Sequence, residues 1–204
     1  MKFYRYGQDV PLQFTALDAE NLHYLAAFDC GDENINCLIQ QDALVKRTVG
    51  YLFLNVETDE VVAYCSLACT GIVEQITNFS SVSYPKTRSA IEIDYFAVAK
   101  RYQSLKMSEE PESETLSAMI LHYCIIHAKE IAQSTVGAEM IVLYSVPRAC
   151  HFYKTIDEQI RKNAQKPRFR CSLWVIKNAI NCDLRLNSFL FSMCLVQFSL
   201  FAHL

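Results

Sequence analysis

The sequence predicts an α+β fold in which strands and helices share one domain. β-Branched and aromatic runs at 49–56 and 61–67 lie on either side of a short polar turn, which is typical of a β-hairpin. The apolar strand 91–98 runs into a loop and then a long helical pattern. A further strand at 138–144 is followed at once by another helix. This strand–helix–strand order predicts a mixed sheet with helices packed on it.

The first fifty residues predict one short strand and two helices. Thr15–Leu17 has the composition of the strand, and Asp18 is placed to cap a helix near residues 19–27. Gly31 marks a break. Apolar residues then recur at helical spacing over residues 33–44.

The segment after the hairpin is polar. Residues 72–89 contain neighbouring serines and Pro85, and they predict a long connection. Apolar residues recur at steps of three and four after Pro111, and the acidic run around that proline favours a helix start. Gly137 is expected to end this helix, and residues 170–176 predict a last strand.

Bulk properties bound the class of protein. The 204 residues suit one domain, and 51% hydrophobic residues are ample for a core. A net charge of −3 argues against a strongly basic surface for nucleic acid. Nine cysteines without a CxxC pair, behind a start with no apolar leader, predict free thiols in a cytoplasmic protein. Because the histidines have no paired Cys/His spacing, no metal site is predicted.

The last stretch, residues 187–204, is strongly apolar. It is barely long enough to span ~30 Å of hydrocarbon, and polar residues interrupt it. A terminal core strand or buried helix is therefore favoured over a membrane anchor, and no membrane is expected as a partner.

The strand 91–98 and the loop Arg101–Ser108 carry a family resemblance. In the GNAT N-acetyltransferases, which this strand and loop resemble, a loop of the pattern [QR]-x-x-G-x-[GA] before a helix binds pyrophosphate through its backbone amides. Gln103 matches the first position of that pattern, whereas Lys106 and Ser108 stand where the glycines would be. The order of strand, loop and helix resembles the acetyl-CoA-binding half of GNAT N-acetyltransferases.

Two further segments support the resemblance. The run Ala149–Lys154 is similar to the family's A-x-x-F-Y-[KR] helix. The run Phe28–Asn36 is similar to a segment F-x-[CS]-G-[ND]-x-x-[IL]-[ND] of the branch that includes toxin-type acetyltransferases. The resemblance spans about residues 12–158. It implies a GNAT-like domain over 1–158, with 159–204 as its last strands or an apolar appendage.

The resemblance implies a central mixed, twisted sheet of six to seven strands with helices on both faces. It also implies acetyl-CoA as co-substrate. The residues that would hold it are on the strand, in the loop and at the following helix: Phe96, Ala97, Val98, Gln103, Ser104, Lys106, Met107, Ser108 and Ala149. Tyr153 matches the tyrosine that serves the family as general acid.

A general base is suggested by the strand itself. Glu92 and Asp94 alternate on one face, opposite Ile91, Ile93 and Tyr95. Carboxylates on a central strand are costly to bury without a role or partner, so Glu92 is the candidate to receive the amine proton. A solvated or salt-bridged strand face explains the same pattern equally well.

The combined prediction is an acetyl-CoA-dependent N-acetyltransferase in which a primary amine attacks the thioester directly. The alternative is an inactive GNAT scaffold that binds acyl-CoA or regulates a partner, because both loop glycines are missing. The resemblance leaves the amine acceptor open and includes aminoacyl-tRNA among the candidates. An antitoxin protein and a second copy of the chain are the further partners to test.

Overall fold

The computed structural model describes residues 2–5, 8–45, 47–108, 110, 113–146, 149–163 and 172–177. Within them, seven strands form one sheet in sequence order. The strands are β1 (Lys2–Arg5), β2 (Gln8–Ala16), β3 (Val49–Asn55), β4 (Glu60–Thr77), β5 (Ser83–Val98), β6 (Met140–Ser145) and β7 (Ser172–Lys177). The α-helices are α1 (Glu33–Val45), α2 (Leu116–Ile131) and α3 (Cys150–Asn163). Short 3-10 helices lie at Leu22–Ala27 and Lys100–Tyr102, and a π-helical turn at Ala132–Val136.

The sheet is mixed, as predicted. Neighbouring strands from β1 to β5 are antiparallel, whereas β5–β6 and β6–β7 are parallel. Each parallel pair is joined through a helix, α2 or α3, because a parallel connection must cross back over the sheet. The β3–β4 hairpin and the count of six to seven strands are confirmed. The short strand expected at Thr15–Leu17 is too short, since β2 begins at Gln8.

Helices cover both faces of the sheet, which confirms that part of the prediction. On one face, Tyr123 of α2 packs edge-on against Phe53 of β3 at 5.7 Å between ring centroids. Leu52 is next to Phe53 on β3, so its side chain points to the other face of the sheet. Tyr64 pairs with Leu52 and therefore lies on that other face too. Burial raises the pKa of Tyr64, and the Asp42 carboxylate of α1 raises it further. The helix α1 therefore lies on the face opposite α2.

The helix expected near residues 19–27 is wrong in type and in its start. The Asp18 Oδ1 accepts the N–H groups of Glu20 and Asn21 at 2.9 and 3.0 Å, as an N-cap does, but residues 19–21 form a turn and not the start of an α-helix. Only the 3-10 helix Leu22–Ala27 follows.

The long helix α2 begins later than its acidic run suggests. Thr115 is its N-cap, with Oγ1 accepting the Ala118 N–H at 3.2 Å, so the helix starts at Leu116 and not directly after Pro111. Its end is as predicted. Gly137 has φ of +65° and closes the π-helical turn that continues α2.

The polar connection expected over 72–89 is wrong. β4 continues to Thr77 and β5 begins at Ser83, so these residues form the outer part of a long antiparallel hairpin. The Ser89 carbonyl accepts the Glu139 N–H at 2.9 Å, so the backbone groups of Ser89 point towards the β6 side and away from β4. Pro85 lies four residues earlier on the same strand and therefore has the same orientation. Its missing N–H thus removes no hydrogen bond to β4. We call residues 69–89 the arm.

The main core lies between the sheet and its helices. Its fully buried large side chains include Phe53, Leu52, Ile93, Ile120 and Leu121. At about 25 cal/mol per Å² of apolar surface, each contributes roughly 1.5–3 kcal/mol. The core therefore fixes where β4, β5 and α2 meet, and this is where the candidate site lies.

The carboxyl-terminal predictions are met only in part by the described residues. The strand expected at 170–176 corresponds to β7. The boundary expected at residue 158 falls within α3, and the division of the chain into domains stays a prediction. The apolar stretch 187–204 lies outside the described residues. In the part of the chain that the structure describes, no helix is long and apolar enough to cross a membrane.

Candidate active site

β5 and β6 separate in the middle of the sheet. They pair from Ala90 with Met140 to Ile93 with Leu143, and the described ladder ends there. β5 nevertheless continues to Val98, still paired with β4. The two parallel strands therefore form a fork that opens towards their carboxyl ends, the usual side for ligands in such sheets.

A β-bulge lies where the fork begins. Ser66 pairs with Tyr95 and Leu67 with Ile93, so Asp94 is an extra residue on β5. The buried Ser66 hydroxyl oxygen accepts the Tyr95 N–H at 3.2 Å. Sequence analysis does not single out Ser66, although a serine inside the apolar run of β4 is the available signal.

The bulge corrects one detail of the prediction. Ile93 and Tyr95 pair with adjacent residues of β4, so their side chains point to opposite faces. The regular alternation expected from Ile91 to Tyr95 therefore breaks at Asp94.

The backbone of β5 presents polar groups to the fork. The N–H groups of Tyr95 and Ala99 point towards β4, because they donate to Ser66 Oγ at 3.2 Å and to the Val62 carbonyl at 2.8 Å. Strand geometry alternates, so the N–H groups of Phe96 and Val98 point the other way, towards β6. Phe96 is half-buried, and Ala97 and Val98 are buried.

The loop after β5 uses most of its amides internally. The N–H groups of Gln103 and Leu105 donate to carbonyls at 3.4 and 3.3 Å in consecutive turns. Met107 N–H donates to the Glu114 carbonyl at 2.9 Å, and Ser108 N–H to Ser113 Oγ at 2.8 Å. Four amides of the predicted pyrophosphate loop are therefore already hydrogen-bonded to the protein.

The Gln103 side chain ties the loop to its surroundings. Its Nε2 donates to the carbonyls of Val98 and Cys30, each at 2.8 Å. Cys30 belongs to the Phe28–Asn36 segment, and the Lys100 N–H donates to the Asp29 carbonyl of that segment at 2.9 Å. The two sequence motifs that resembled GNAT proteins are thus in direct contact.

The Phe28–Asn36 segment folds as a compact turn. Gly31 has φ of +81° and packs on the Lys100 side chain, which explains the glycine. Asp29 Oδ1 accepts from the Gly31 N–H at 2.7 Å and from Asn36 Nδ2 at 2.9 Å. These bonds lower the pKa of the Asp29 carboxyl.

The remaining loop residues lie near the start of α2. Ser104 and Lys106 are exposed, Met107 is half-buried, and Ser108 is exposed. Lys106 forms a β-bridge with Thr115, the N-cap of α2. The loop therefore returns to the helix start as a small hairpin instead of passing directly into the helix.

Tyr153 lies on the α2 side of the sheet. It is 8% exposed, one helical turn into α3, and Ala149 lies half-buried just before that helix. Burial raises the pKa of the Tyr153 phenol, and the neighbouring Cys65 and Cys124 thiols raise it further. The phenol is therefore protonated throughout the physiological range.

Glu92 lies on the opposite face. It pairs with Ala68, whereas Cys65, three residues earlier on β4, lies near Tyr153. Glu92 is half-buried next to Tyr144, whose pKa is raised by burial and then by the Glu92 charge. The structure places the two predicted catalytic side chains on opposite sides of one fork.

A cavity of about 730 Å³ lies on the far side of the loop start, lined by Tyr24, Asp29, Asp59, Glu60, Lys100 and Arg101 among others. Tyr24 donates to Asp59 at 2.5 Å, and Arg101 forms an ion pair with Glu60. Its charged groups largely compensate one another, so the cavity does not indicate a preferred ligand charge.

Comparison with known proteins rests on structure. No protein-family model and no curated protein matches the sequence. A mutant form of the AtaT toxin is similar at a TM-score of 0.56 and 15% identity, over 71% of this chain and 80% of that one. A bacterial toxin is similar at 0.57 and 15%, over 72% and 80%. A probable acetyltransferase is more distant, at a TM-score of 0.45 and 16% identity, over 72% and 87%.

The likeness and the forked mixed sheet agree on the architecture. Both toxin structures share the fold at an identity too low to carry over residues or substrates. The chain described here has the GNAT acetyltransferase fold, and the solved structures that it resembles include toxins of that fold.

Proposed function

We propose that this chain is an acetyl-CoA-dependent N-acetyltransferase. The observation that carries the proposal is the fork between β5 and β6, with the Phe96 and Val98 N–H groups directed into it. Acetyl-CoA would supply an activated acetyl thioester. An extended pantetheine arm fits beside an open strand edge, because it has amide groups of its own to pair there.

The strand backbone would polarise the thioester carbonyl. Phe96 and Val98 present N–H donors from a strand that β4 and the core hold rigid. Fixed donors stabilise the oxyanion that develops as the amine attacks, without reorganisation at that moment. The attack forms the C–N bond and breaks the C–S bond.

Tyr153 would donate a hydrogen bond, and then a proton, to the leaving thiolate. Its buried phenol stays neutral at physiological pH because its pKa is raised. A raised pKa makes full proton transfer to a thiolate less favourable and leaves hydrogen bonding to the developing charge intact. Tyr153 therefore acts as a hydrogen-bond donor first, and the proton follows as the charge on sulfur grows.

Glu92 would accept a proton from the acceptor amine on the other face of the sheet. Its carboxylate lies one residue before the last β5–β6 pair, next to Tyr144. A carboxylate there can take the proton that the amine loses on attack, directly or through water. Amine and thiol would then meet protein groups on opposite sides of the opening.

The loop after β5 offers few hydrogen-bond donors to the phosphates of acetyl-CoA. Gln103, Met107 and Ser108 use their amides internally, so the loop offers fewer donors than a glycine-containing one. Ser104, Lys106 and Ser108 are exposed on this loop, and Lys106 carries a positive charge that phosphate would attract. We expect modest and salt-sensitive affinity.

The internally hydrogen-bonded loop also favours a second candidate function, that of a non-catalytic module. A loop whose amides are satisfied by the protein can retain the fold without turnover. The chain would then be a non-catalytic module that binds acyl-CoA or regulates a partner.

The acceptors and protein partners to test come from the toxin likeness and from the sequence resemblance. Two solved structures of similar fold are toxins. The toxin likeness adds an antitoxin protein as a binding partner to test, and the sequence resemblance keeps aminoacyl-tRNA beside small amines and peptide N-termini as acceptors to test.

Titration calorimetry with acetyl-CoA, followed by a thiol-release assay on that acceptor panel, separates the two functions. Binding with amine-dependent thiol release is the result that we expect. Binding without release for every acceptor would favour the non-catalytic module. Absence of binding at millimolar acetyl-CoA would remove both.

A further inference from the structure

The arm is a two-stranded ribbon that extends beyond the rest of the sheet. β3 ends its pairing with β4 at Leu67, and β6 begins its pairing with β5 at Ala90. From Cys69 to Thr77, β4 is paired only with β5 among the described strands. The arm is about 25 Å long at roughly 3.3 Å per residue. A ribbon of two strands is marginal in water by itself, so a third strand would stabilise it.

The tip of the arm is ordered and apolar. Asn78 Oδ1 accepts the N–H groups of Ser80 and Val82, each at 3.0 Å, and Ser81 takes a left-handed φ of +59°. This turn holds Phe79 fully exposed. Val82 and Tyr84 are exposed beside it, and exposed apolar residues that cluster indicate a contact surface.

The two edges of the arm differ in protection. The β5 edge carries Pro85, Lys86 and Arg88, the residue types that block strand addition. The β4 edge, residues 69–77, has a β-branched composition with Glu74 as its one charge, and Arg88 pairs with that charge at 2.7 Å. Among the residues that the structure describes, strand addition is therefore blocked on one edge of the arm and open on the other.

The open edge is self-complementary. The Val62 carbonyl accepts the Ala99 N–H, so the backbone N–H and C=O groups of even-numbered β4 residues point towards β5. Those of odd-numbered residues point outward, towards the open edge. Two antiparallel β4 edges centred on Val73 would pair Val73 with its copy and Gly71 with Gln75. No like charges face each other in that register, because Glu74 lies opposite Ile72.

The same register gives Phe79 a binding place. Counting from Val73, Phe79 of one copy reaches the level of Leu67 of the other, whose outer edge is already paired with Val49 of β3. The tip would turn off the ladder at Asn78, where its turn begins, and lie against the start of β3. Val49 is more than half exposed on the face of Leu67, so each tip would cover Val49 at the base of the other arm.

We propose that this chain forms a two-fold symmetric homodimer through antiparallel pairing of its β4 arm edges. Val73 lies on the axis, and Phe79 of each copy packs on Val49 of the other. The interface combines a strand ladder, which gives direction, with an aromatic anchor at each end.

The first test compares two lysine substitutions on the full chain by sedimentation equilibrium. Val73→Lys would put the lysines of the two copies next to each other at the dimer axis. Thr87→Lys is the control, because Thr87 is the exposed cross-strand partner of Val73 on β5, so its lysine carries the same charge away from the proposed interface. We expect a rise of about 100-fold or more in the dimer dissociation constant for Val73→Lys, and little change for Thr87→Lys. Thermal melts of both monomers control for folding.

A monomeric wild-type chain at about 100 µM, or equal weakening by both lysines, would overturn the proposal. The second test uses Val73→Cys with a mild oxidant. Facing residues of a hydrogen-bonded pair have Cα atoms about 5.5 Å apart, within disulfide range. Peptide mapping should find a disulfide that joins the introduced thiols of two copies of Val73→Cys, and none that joins those of two copies of Thr87→Cys. A Phe79→Ser variant should weaken the dimer about ten-fold or more; an unchanged dissociation constant would remove the tip contact.

Discussion

The Ser66 hydroxyl supports the bulge from which the fork opens, so Ser66→Ala tests how the site is built. Ser66 is fully buried, and its Oγ accepts the Tyr95 N–H at 3.2 Å. Alanine leaves that amide without an acceptor in the sheet interior. An unsatisfied buried donor costs about 1–3 kcal/mol, so we expect a loss of that size in the free energy of unfolding.

Urea unfolding measures the loss, and amide hydrogen exchange locates it. We expect faster exchange at the Tyr95 amide in Ser66→Ala, with the pairs further along β4 and β5 unchanged. Ser145→Ala is a matched control: Ser145 is equally buried, and among the described residues its hydroxyl donates to the adjacent Val146 carbonyl at 2.9 Å, a local bond that joins no second strand. A loss below about 0.5 kcal/mol in Ser66→Ala, or a larger loss in Ser145→Ala, would refute this account of the bulge.

The other predictions address chemistry, binding, packing and pH. Tyr153→Phe should lower turnover with acetyl-CoA affinity nearly unchanged, because only the donor to sulfur is lost; equal rates would take Tyr153 out of the mechanism. Lys106→Glu should weaken acetyl-CoA binding most at low salt, measured by calorimetry at two ionic strengths. Leu121→Ala should cost about 2–5 kcal/mol in urea unfolding, since Leu121 is fully buried. Asp29, whose carboxyl pKa lies below 3.8 because of the Gly31 and Asn36 bonds, should stabilise the fold above about pH 4 and lose that effect as pH falls through its lowered pKa; Asp29→Ala unfolding at pH 7 and pH 3 checks this.

Features with local causes could be predicted from the sequence. The β3–β4 hairpin follows from two β-rich runs close in sequence, and the end of α2 follows from the glycine at 137. The order of strand, loop and helix after residue 91 follows from changes in hydrophobic period. Each of these depends on neighbours within a few residues.

Features set by distant contacts could not be predicted. The bulge at Asp94 depends on which residue of β4 lies opposite, and Ser66 is 29 positions away from its partner Tyr95. The arm shows little apolar alternation in its sequence, because Ile72 is its one buried side chain and residues 78–87 are all exposed. The loop pattern places Gln103 by position, but the direction of its side chain towards Cys30 depends on the folded Phe28–Asn36 turn.

The most direct test of the central claim is backbone amide exchange at Phe96 and Val98 with and without acetyl-CoA. If a thioester-bearing ligand enters the fork, both amides should exchange at least about ten-fold more slowly when it is bound, while the Ile93 and Leu143 amides of the closed ladder stay unchanged. Unaltered exchange at Phe96 and Val98 under saturating ligand would contradict the account.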